Sequence, residues 1–147
     1  KRGGLGKLSL LKKIKVTKLK RIEIQGGDVL HGIKNNEDTF YGFGEAYFSY
    51  INPKEIKAWK LHTEMTMNLI VPSGKVRFIF YDHSINSFRE EIIGDINYSR
   101  LTVPPGIWFG FQGLEYNFSS LVFNLSNLQH DPNEVQRKKI SEISFNW

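Results

Sequence analysis

The feature that most constrains this chain is a succession of short apolar runs, each broken by turn residues. The clearest run is Lys75–Tyr81, in which Val76, Phe78 and Phe80 alternate with residues of the other face. Such alternation is typical of a β-strand, because successive side chains point to opposite faces. About ten runs of this kind lie along the 147 residues, and none has the spacing of a long amphipathic helix. The pattern predicts an all-β sandwich or barrel.

The bounds of the runs predict where the strands lie. A lysine-rich run over residues 14–24 is expected to form an edge strand, because lysines at a sheet edge discourage aggregation. A single helical turn is expected at Asp131–Val135, with Asp131 as its N-cap. A short last strand is expected to reach Trp147. The other predicted strands are Val29–Ile33, Glu45–Ile51, Ile56–His62, Met67–Val71, Lys75–Tyr81, Phe88–Ile93, Arg100–Val103, Trp108–Gln112 and Leu121–Leu125.

Charge and composition exclude several classes of function. Nine of the twenty Lys and Arg residues lie within residues 1–21, a stretch without Asp or Glu, so the net charge of +5 does not describe the body of the chain. A nucleic-acid groove needs positive charge across the folded surface, and we expect no nucleic-acid partner. The chain has no cysteine, which excludes disulfides and cysteine nucleophiles.

The N-terminal region shows no targeting pattern. The apolar run at Leu8–Leu11 is too short for a signal peptide, and no run is long enough to cross a membrane. We therefore expect a cytoplasmic protein without a membrane partner. The composition divides the chain into a basic N-terminal arm, residues 1–12, and a single domain, residues 13–147.

Two segments resemble the motifs of a known fold family. Lys57–His62, followed by a glycine turn at Gly74, has the layout of a first cupin motif, and Val103–Phe111 looks like the second, built around proline-x-glycine. In this order and spacing they resemble the sugar-nucleotide cupins, which include dTDP-4-dehydrorhamnose 3,5-epimerases and dTDP-4-keto-6-deoxyglucose 3,4-ketoisomerases. The resemblance covers about residues 13–147 and implies a cupin-type double-stranded β-helix, or jelly roll.

The resemblance also implies a chemistry, the movement of a proton next to the ketone of a nucleotide-linked 4-keto-6-deoxysugar. A neutral imidazole suits the base, and His62 lies on the inward face of a predicted strand. Lys60, two residues earlier on the same face, is expected to stabilise the enolate or to bind a phosphate. Phe109 stands where metal-binding cupins have a further histidine, so we expect neither a metal nor another cofactor.

Several residues that the epimerases use are replaced in this chain. The arginine of their first motif falls at Trp59, their enolate-stabilising lysine near Met67 and their opposing tyrosine near Phe123. The aspartate that orients their base comes from a C-terminal segment that this chain is expected to lack. The ketoisomerases match the spacing of Lys60–His62, although Lys60 replaces their first histidine. Three functions stay open: 3,5-epimerase, which we place first, 3,4-ketoisomerase, and a non-catalytic cupin that binds a sugar nucleotide.

The expected substrate contacts are spread over several strands. Aromatic rings there can stack on a nucleotide base or pack in the core, and cationic side chains can bind a diphosphate or lie on a solvated strand face. The expected partners are a dTDP-linked sugar, in surface-polysaccharide or deoxysugar synthesis, and a second copy of the chain, since the resemblance implies a homodimer formed through edge strands. The expected substrate-binding residues are Lys57, Trp59, Asn68, Arg77, Tyr47, Phe109 and Phe123.

Overall fold

Two five-stranded antiparallel sheets face each other in the computed structural model, which describes residues 9–147. The first sheet has the strand order β1-β9-β6-β11-β4 and the second has the order β12-β5-β10-β7-β8, while β2 and β3 form a separate small pair. The strands are β1 (Lys15–Lys18), β2 (Arg21–Ile22), β3 (Val29–Leu30), β4 (Glu45–Ile51), β5 (Ile56–His62), β6 (Met67–Ser73), β7 (Lys75–Asp82), β8 (Ser87–Gly94), β9 (Ser99–Val103), β10 (Trp108–Gly113), β11 (Ser120–Ser126) and β12 (Val135–Arg137).

Short 3-10 turns are the helical elements of the described residues. They lie at Leu10–Lys13 and Ile140–Glu142. Within residues 9–147, no helix has the length and apolar character needed to cross a membrane. The prediction of an all-β, two-sheet jelly roll is confirmed.

The core lies between the inner faces of the two sheets. On β7 the alternating residues Val76, Phe78 and Phe80 are fully buried and point inward, as their spacing predicts. The connection from β6 to β7 turns at Gly74, where φ is +95° and an added Cβ would meet the Ser120 side chain. Only glycine fits this turn without strain. The tight turn passes the chain directly from a strand of the first sheet to a strand of the second.

A second apolar layer covers the outer face of the second sheet. Trp59, Leu61 and Trp108 point outward from this sheet and pack under the C-terminal segment, which supplies Ile143 and Trp147. The ring centroids of Trp59 and Trp147 are 5.3 Å apart. Together with the core on the inner face, this layer buries aromatic side chains on both sides of the sheet.

Residues 31–40 cross the outer face of the first sheet. Arg100 on β9 holds them there, because its fully buried guanidinium donates to the Gly32 carbonyl, the Glu37 carboxylate and the Thr39 hydroxyl. The strand predicted to run from Val29 to Ile33 therefore ends at Leu30. After Leu30 the backbone carbonyl of Gly32 accepts a hydrogen bond from the Arg100 side chain instead of from a neighbouring strand.

Other predicted elements differ at the two ends of the chain. The expected edge strand over residues 14–24 is split, because β1 pairs with β9 and then the chain leaves the first sheet to form β2. The expected helical turn is a tight turn in which Glu134 N–H donates to the Asp131 carbonyl, and β12 begins directly after it. The last strand predicted to reach Trp147 is absent from the described residues, since that segment packs by its side chains.

The predicted N-terminal arm, residues 1–12, lies mostly outside the described residues, which begin at residue 9. From there the chain packs on the body. Leu11 is buried in the core, and Arg89 donates to the carbonyls of Leu11 and Ile14. Ser9 and the Leu10 amide both donate to the Asp82 carboxylate.

Candidate active site

A cavity of about 150 Å³ opens between the inner faces of the two sheets. The wall from the second sheet carries cationic and aromatic side chains, and the wall from the first sheet is mainly apolar with a few hydroxyl and amide groups. A cavity with a small number of convergent polar groups is the usual form of a small-molecule site. Its lining residues are Lys57, Lys60, His62, Phe109 and Phe111 from the second sheet, and Tyr47, Ser49, Met67, Leu69, Val122 and Asn124 from the first.

A bulge in β5 brings its polar side chains to one face. Phe109 on β10 pairs with Lys60, but the next residue, Gly110, pairs with Ala58, so Trp59 is an extra residue on β5. Phe111 then pairs with Lys57. Paired residues of antiparallel strands point to the same side, and a bulge re-aims the strand on either side of it. Lys57, Lys60 and His62 therefore all face the cavity, although simple alternation cannot place residues 57 and 60 together.

The second cupin-like motif anchors the end of β5. The turn between β9 and β10 contains Gly106, whose φ of +89° suits glycine. Its backbone N–H donates to the His62 carbonyl at 2.7 Å. The imidazole itself is nearly buried, and its ring stacks on Phe109 with centroids 5.9 Å apart. The turn fixes the backbone of His62, and the aromatic wall fixes its ring.

Glu134, at the turn before β12, fixes the tautomer of His62. The Nδ1 atom of His62 lies 2.7 Å from Oε1 of Glu134, and both side chains are buried. With the carboxylate ionised, Nδ1 carries the proton and Nε2 keeps the lone pair. A carboxylate that holds an imidazole in this way is how a catalytic histidine is usually oriented as a base.

The second oxygen of Glu134 is also occupied. Oε2 accepts hydrogen bonds from the backbone N–H groups of Glu64 and Met65 at 3.0 and 2.8 Å. Burial raises the pKa of Glu134, but the hydrogen bonds from His62 and from these two amides outweigh it, and the net pKa lies below the ordinary value. Glu134 is therefore a carboxylate at neutral pH.

Three cationic side chains surround the mouth of the cavity. Arg137 on β12 pairs with Lys60 on β5. Together with Lys57 they line an adjoining cavity of about 240 Å³ that shares its Phe109 and Phe111 wall with the first. The ammonium group of Lys138, the next residue, lies instead 5.2 Å from the Trp108 ring centroid in the outer layer. Burial, and then the charges of Arg137 and Lys57, lower the pKa of Lys60. Uncompensated positive charge at a half-buried site attracts an anionic ligand.

The facing wall carries a tyrosine and an asparagine. Tyr47 on β4 pairs in register with Asn124 on β11, and Asn124 Nδ2 donates to the Tyr47 hydroxyl oxygen at 3.1 Å. Asn124 is buried, whereas 43% of Tyr47 is exposed because β4 is the edge strand of its sheet. The cavity thus has an imidazole on one wall and a phenol on the other.

The structure brings five of the expected site residues to the cavity. They come from three strands and include both residues expected to be catalytic. Within residues 9–147, no group of three or more His, Asp or Glu side chains is arranged to hold a metal ion. The five residues are His62, Lys60, Lys57, Phe109 and Tyr47.

The other four expected site residues have side chains that point away from the cavity. Trp59 packs in the outer layer of the second sheet, and Arg77 lies on that same outer face, bonded to Glu90 and the Trp147 carbonyl. Asn68 donates to the Thr39 carbonyl outside the first sheet, and Phe123 packs on Phe48 there. The reason is that side chains alternate between the two faces of a strand. Each of these four residues is adjacent to one that points inward, so its own side chain points outward. We therefore leave these four out of the proposed site.

Sequence reasoning missed the C-terminal contribution. Glu134 and Arg137 come from a short strand that adds to the edge of β5, so that Val135 pairs with His62. The chain therefore does have a carboxylate that orients the imidazole, carried by a C-terminal segment that the sequence comparison predicts to be missing. The signal lay in the turn at Asp131–Glu134, which precedes a short strand, but nothing in the sequence says which edge that strand joins.

Comparison with known proteins identifies the family to which this chain belongs. A dTDP sugar isomerase of Desulfovibrio desulfuricans G20, a solved structure, is 31% identical, with 96% of this chain and 94% of that chain covered and a TM-score of 0.87. The chain belongs to the dTDP-sugar isomerase family. The spore coat polysaccharide biosynthesis protein SpsL of Bacillus subtilis (strain 168) is 24% identical over 143 residues, or 91% of this chain and 94% of SpsL.

A second solved structure, at lower identity, shares the fold. The dTDP-4-dehydrorhamnose 3,5-epimerase of Sulfolobus tokodaii has a TM-score of 0.78 at 19% identity, with 99% of this chain and 84% of that chain covered. No family model matches the sequence. The expectation of a sugar-nucleotide cupin is confirmed by the first of these structures, which spans nearly the whole chain.

Proposed function

We propose that this protein is a metal-independent epimerase acting on a dTDP-linked 4-keto-6-deoxysugar, with His62 as the base. The observation that carries this proposal is the His62–Glu134 pair, which leaves Nε2 of a buried imidazole available beside a cavity of about 150 Å³. The names of the similar proteins support the substrate class, since one is a dTDP sugar isomerase and another serves polysaccharide biosynthesis. We infer a role in surface-polysaccharide or deoxysugar synthesis.

The reaction follows from the acidity of a carbon next to a ketone. Nε2 of His62 takes the proton from that carbon, the C–H bond pair becomes the enolate double bond, and the carbonyl π electrons move to the oxygen. Glu134 stabilises the imidazolium that forms, because its carboxylate already accepts the Nδ1 proton. Return of a proton to the opposite face of the same carbon gives the epimer.

Lys60 is the proposed partner of the enolate oxygen. It lies on the same strand face as His62, and its pKa is lowered mainly by burial, so its ammonium group is poorly solvated and interacts strongly with a developing negative charge. Lys57 and Arg137 flank it at the mouth of the cavity. We propose that these two bind the diphosphate, and that Phe109 and Tyr47 contact the sugar or base.

A 3,4-ketoisomerase is the second candidate, and the spacing of Lys60-Leu61-His62 favours it. Label from solvent separates the candidates. The protein is incubated with dTDP-4-keto-6-deoxyglucose in deuterium oxide and the recovered sugar is examined by NMR. Label at C3 and C5 supports the 3,5-epimerase, a 3-keto product labelled at C4 supports the ketoisomerase, and no label supports a non-catalytic binder. His62→Asn should abolish the label, whereas His83→Asn, in an exposed loop, should not.

The proposal extends to assembly and location. We propose a homodimer formed through edge strands, for which the lysine-rich β1 at the edge of the first sheet is a candidate, and a cytoplasmic location where nucleotide sugars are made. Sedimentation equilibrium tests the first point. A molar mass near 34 kDa, twice that of the chain at 17.0 kDa, is expected, and a mass that stays at the single-chain value at all concentrations would contradict it.

A further inference from the structure

An epimerase needs two groups, because a single base that takes and returns a proton works on one face of the carbon. In this cavity His62, Lys60 and Lys57 all come from the second sheet. They therefore approach a bound sugar from one side. A proton donor for the other side has to come from the first sheet.

Among the residues that line the cavity from the first sheet, one carries an acidic proton suited to this task. Met67, Leu69 and Val122 have none, and the amide of Asn124 and the hydroxyl of Ser49 are far weaker acids than a phenol. The remaining side chain is that of Tyr47. Phe123, near which the sequence comparison placed the acid of the epimerases, packs outside the sheet with its ring centroid 5.0 Å from that of Phe48.

The hydrogen bonding of Tyr47 leaves its own proton unused. Asn124 Nδ2 donates to the phenol oxygen at 3.1 Å, so in this bond the tyrosine accepts. Asn124 is itself buried, and within residues 9–147 no hydrogen bond uses the phenol proton of Tyr47. The asparagine thus holds the phenol oxygen while the phenol proton remains available to the cavity.

We infer that Tyr47 is the acid that delivers a proton to the enolate carbon from the face opposite His62. This inference rests on the proposed function. In the step, the O–H bond of Tyr47 breaks, a C–H bond forms from the enolate π pair, and the C4 carbonyl re-forms. The phenolate then takes a proton from water, and the imidazolium of His62 returns its proton to water. The net change is inversion at carbon, with one solvent proton gained and one substrate proton lost.

The test separates proton removal from inversion in a single incubation. Tyr47→Phe is incubated with the dTDP-linked ketosugar in deuterium oxide, and both the rate of label entry and the rate of formation of the inverted product are followed by NMR. We expect label entry within about 3-fold of the unaltered protein, because His62 still exchanges its proton with solvent on one face. Inverted product should fall by about 100-fold, the usual contribution of a general acid.

Tyr50→Phe is the matched control. Tyr50 lies on the same strand with 66% of its surface exposed, and removal of its hydroxyl should leave both rates unchanged. Tyr47→Phe with a normal inversion rate would overturn the inference. Equal loss of label entry and inversion would also overturn it, since that pattern indicates a role in binding. If the unaltered protein shows no label at all, the proposed function fails, which differs from a failure confined to Tyr47→Phe.

Discussion

Two buried ionic clusters, one on each sheet, serve different purposes in this molecule. On the first sheet, all three guanidinium nitrogens of Arg100 donate, to Asn68, Gly32, Glu37 and Thr39. On the second, Glu134 is fully occupied, but the imidazole of His62 uses only its Nδ1 in this pair. A buried charge with every bond made fixes structure, whereas one that keeps a free lone pair beside a cavity can do chemistry.

The largest effect is expected from His62→Asn. Loss of the base should lower kcat by about 10⁴-fold, close to 5.5 kcal/mol in the barrier. The fold should remain, because asparagine can still donate to Glu134 and the loss of one hydrogen bond costs only about 1 kcal/mol. Steady-state kinetics and thermal unfolding check both parts. Residual activity within about 10-fold of the unaltered protein would remove His62 from the mechanism.

Arg100→Met should show the opposite pattern. Breaking a buried pair typically costs about 3–5 kcal/mol, since Glu37 and the Gly32 carbonyl lose their partner. Urea unfolding should report this loss, while kcat per folded molecule should change little. Arg21→Met, which breaks an exposed pair with Asp95, is the control and should leave the transition midpoint nearly unchanged. A loss of kcat in folded Arg100→Met would show that the two clusters are coupled.

Glu134→Gln should affect both properties. Glutamine can replace one acceptor oxygen but not both, so kcat should fall by about 100-fold and the free energy of unfolding by about 1–3 kcal/mol. Glu64→Gln removes a nearby exposed charge and serves as the control. Kinetics and urea unfolding of the two variants give the measurement. An unchanged kcat in Glu134→Gln would mean that the imidazole is oriented by its packing on Phe109 alone.

Lys60→Met should have a smaller effect on the rate. If Lys60 stabilises the enolate, kcat should fall by about 10-fold while KM changes less, because the interaction strengthens as charge develops. Lys75→Met, exposed and distant along the chain, is the control. An increase in KM at constant kcat would instead assign Lys60 to binding of the diphosphate.

The smallest effect is a pH dependence of stability. Because the pKa of folded Glu134 lies below its ordinary value, the stabilisation it provides is fully present above the ordinary glutamate pKa of about 4.3 and is lost as pH falls through the lower, folded value. The difference in free energy of unfolding between the unaltered protein and Glu134→Gln should therefore be constant near neutral pH and shrink in acid. If this difference instead grew as the pH fell, folding would have to raise the pKa of Glu134 rather than lower it.

The local features of the fold were predictable, and the long-range ones were not. Alternation located most strands of both sheets within about a residue, and it placed His62 and Lys60 on an inward face. Simple alternation did not predict the bulge at Trp59, because an extra residue in a strand leaves no mark in the hydrophobic pattern. Asn68 and Phe123 were misplaced relative to the cavity for a related reason, since strands buried on both sides give no sign of which face is inner.

The partner of the histidine was beyond sequence reasoning for a different cause. Glu134 follows His62 by 72 residues, and their contact depends on the edge that β12 joins. Asn124, which lines the cavity, could not be predicted for the same reason. Its role depends on its pairing with Tyr47 on β4. Pairing between distant strands is set by closure of the whole structure, so single-chain patterns cannot reveal it.

The short ladder between β12 and β5 ties the geometry of the candidate site to the C-terminal segment. Only three residue pairs join these strands, although the ladder carries the carboxylate that aligns the imidazole and a cation of the cavity mouth. Beyond the ladder, the Thr63 N–H donates to the Glu134 carbonyl, Trp59 and Lys138 exchange two backbone hydrogen bonds, and Trp59 packs on Trp147. If His62 is the base, any change that loosens this attachment would lower the reaction rate even where the two sheets themselves are unaffected.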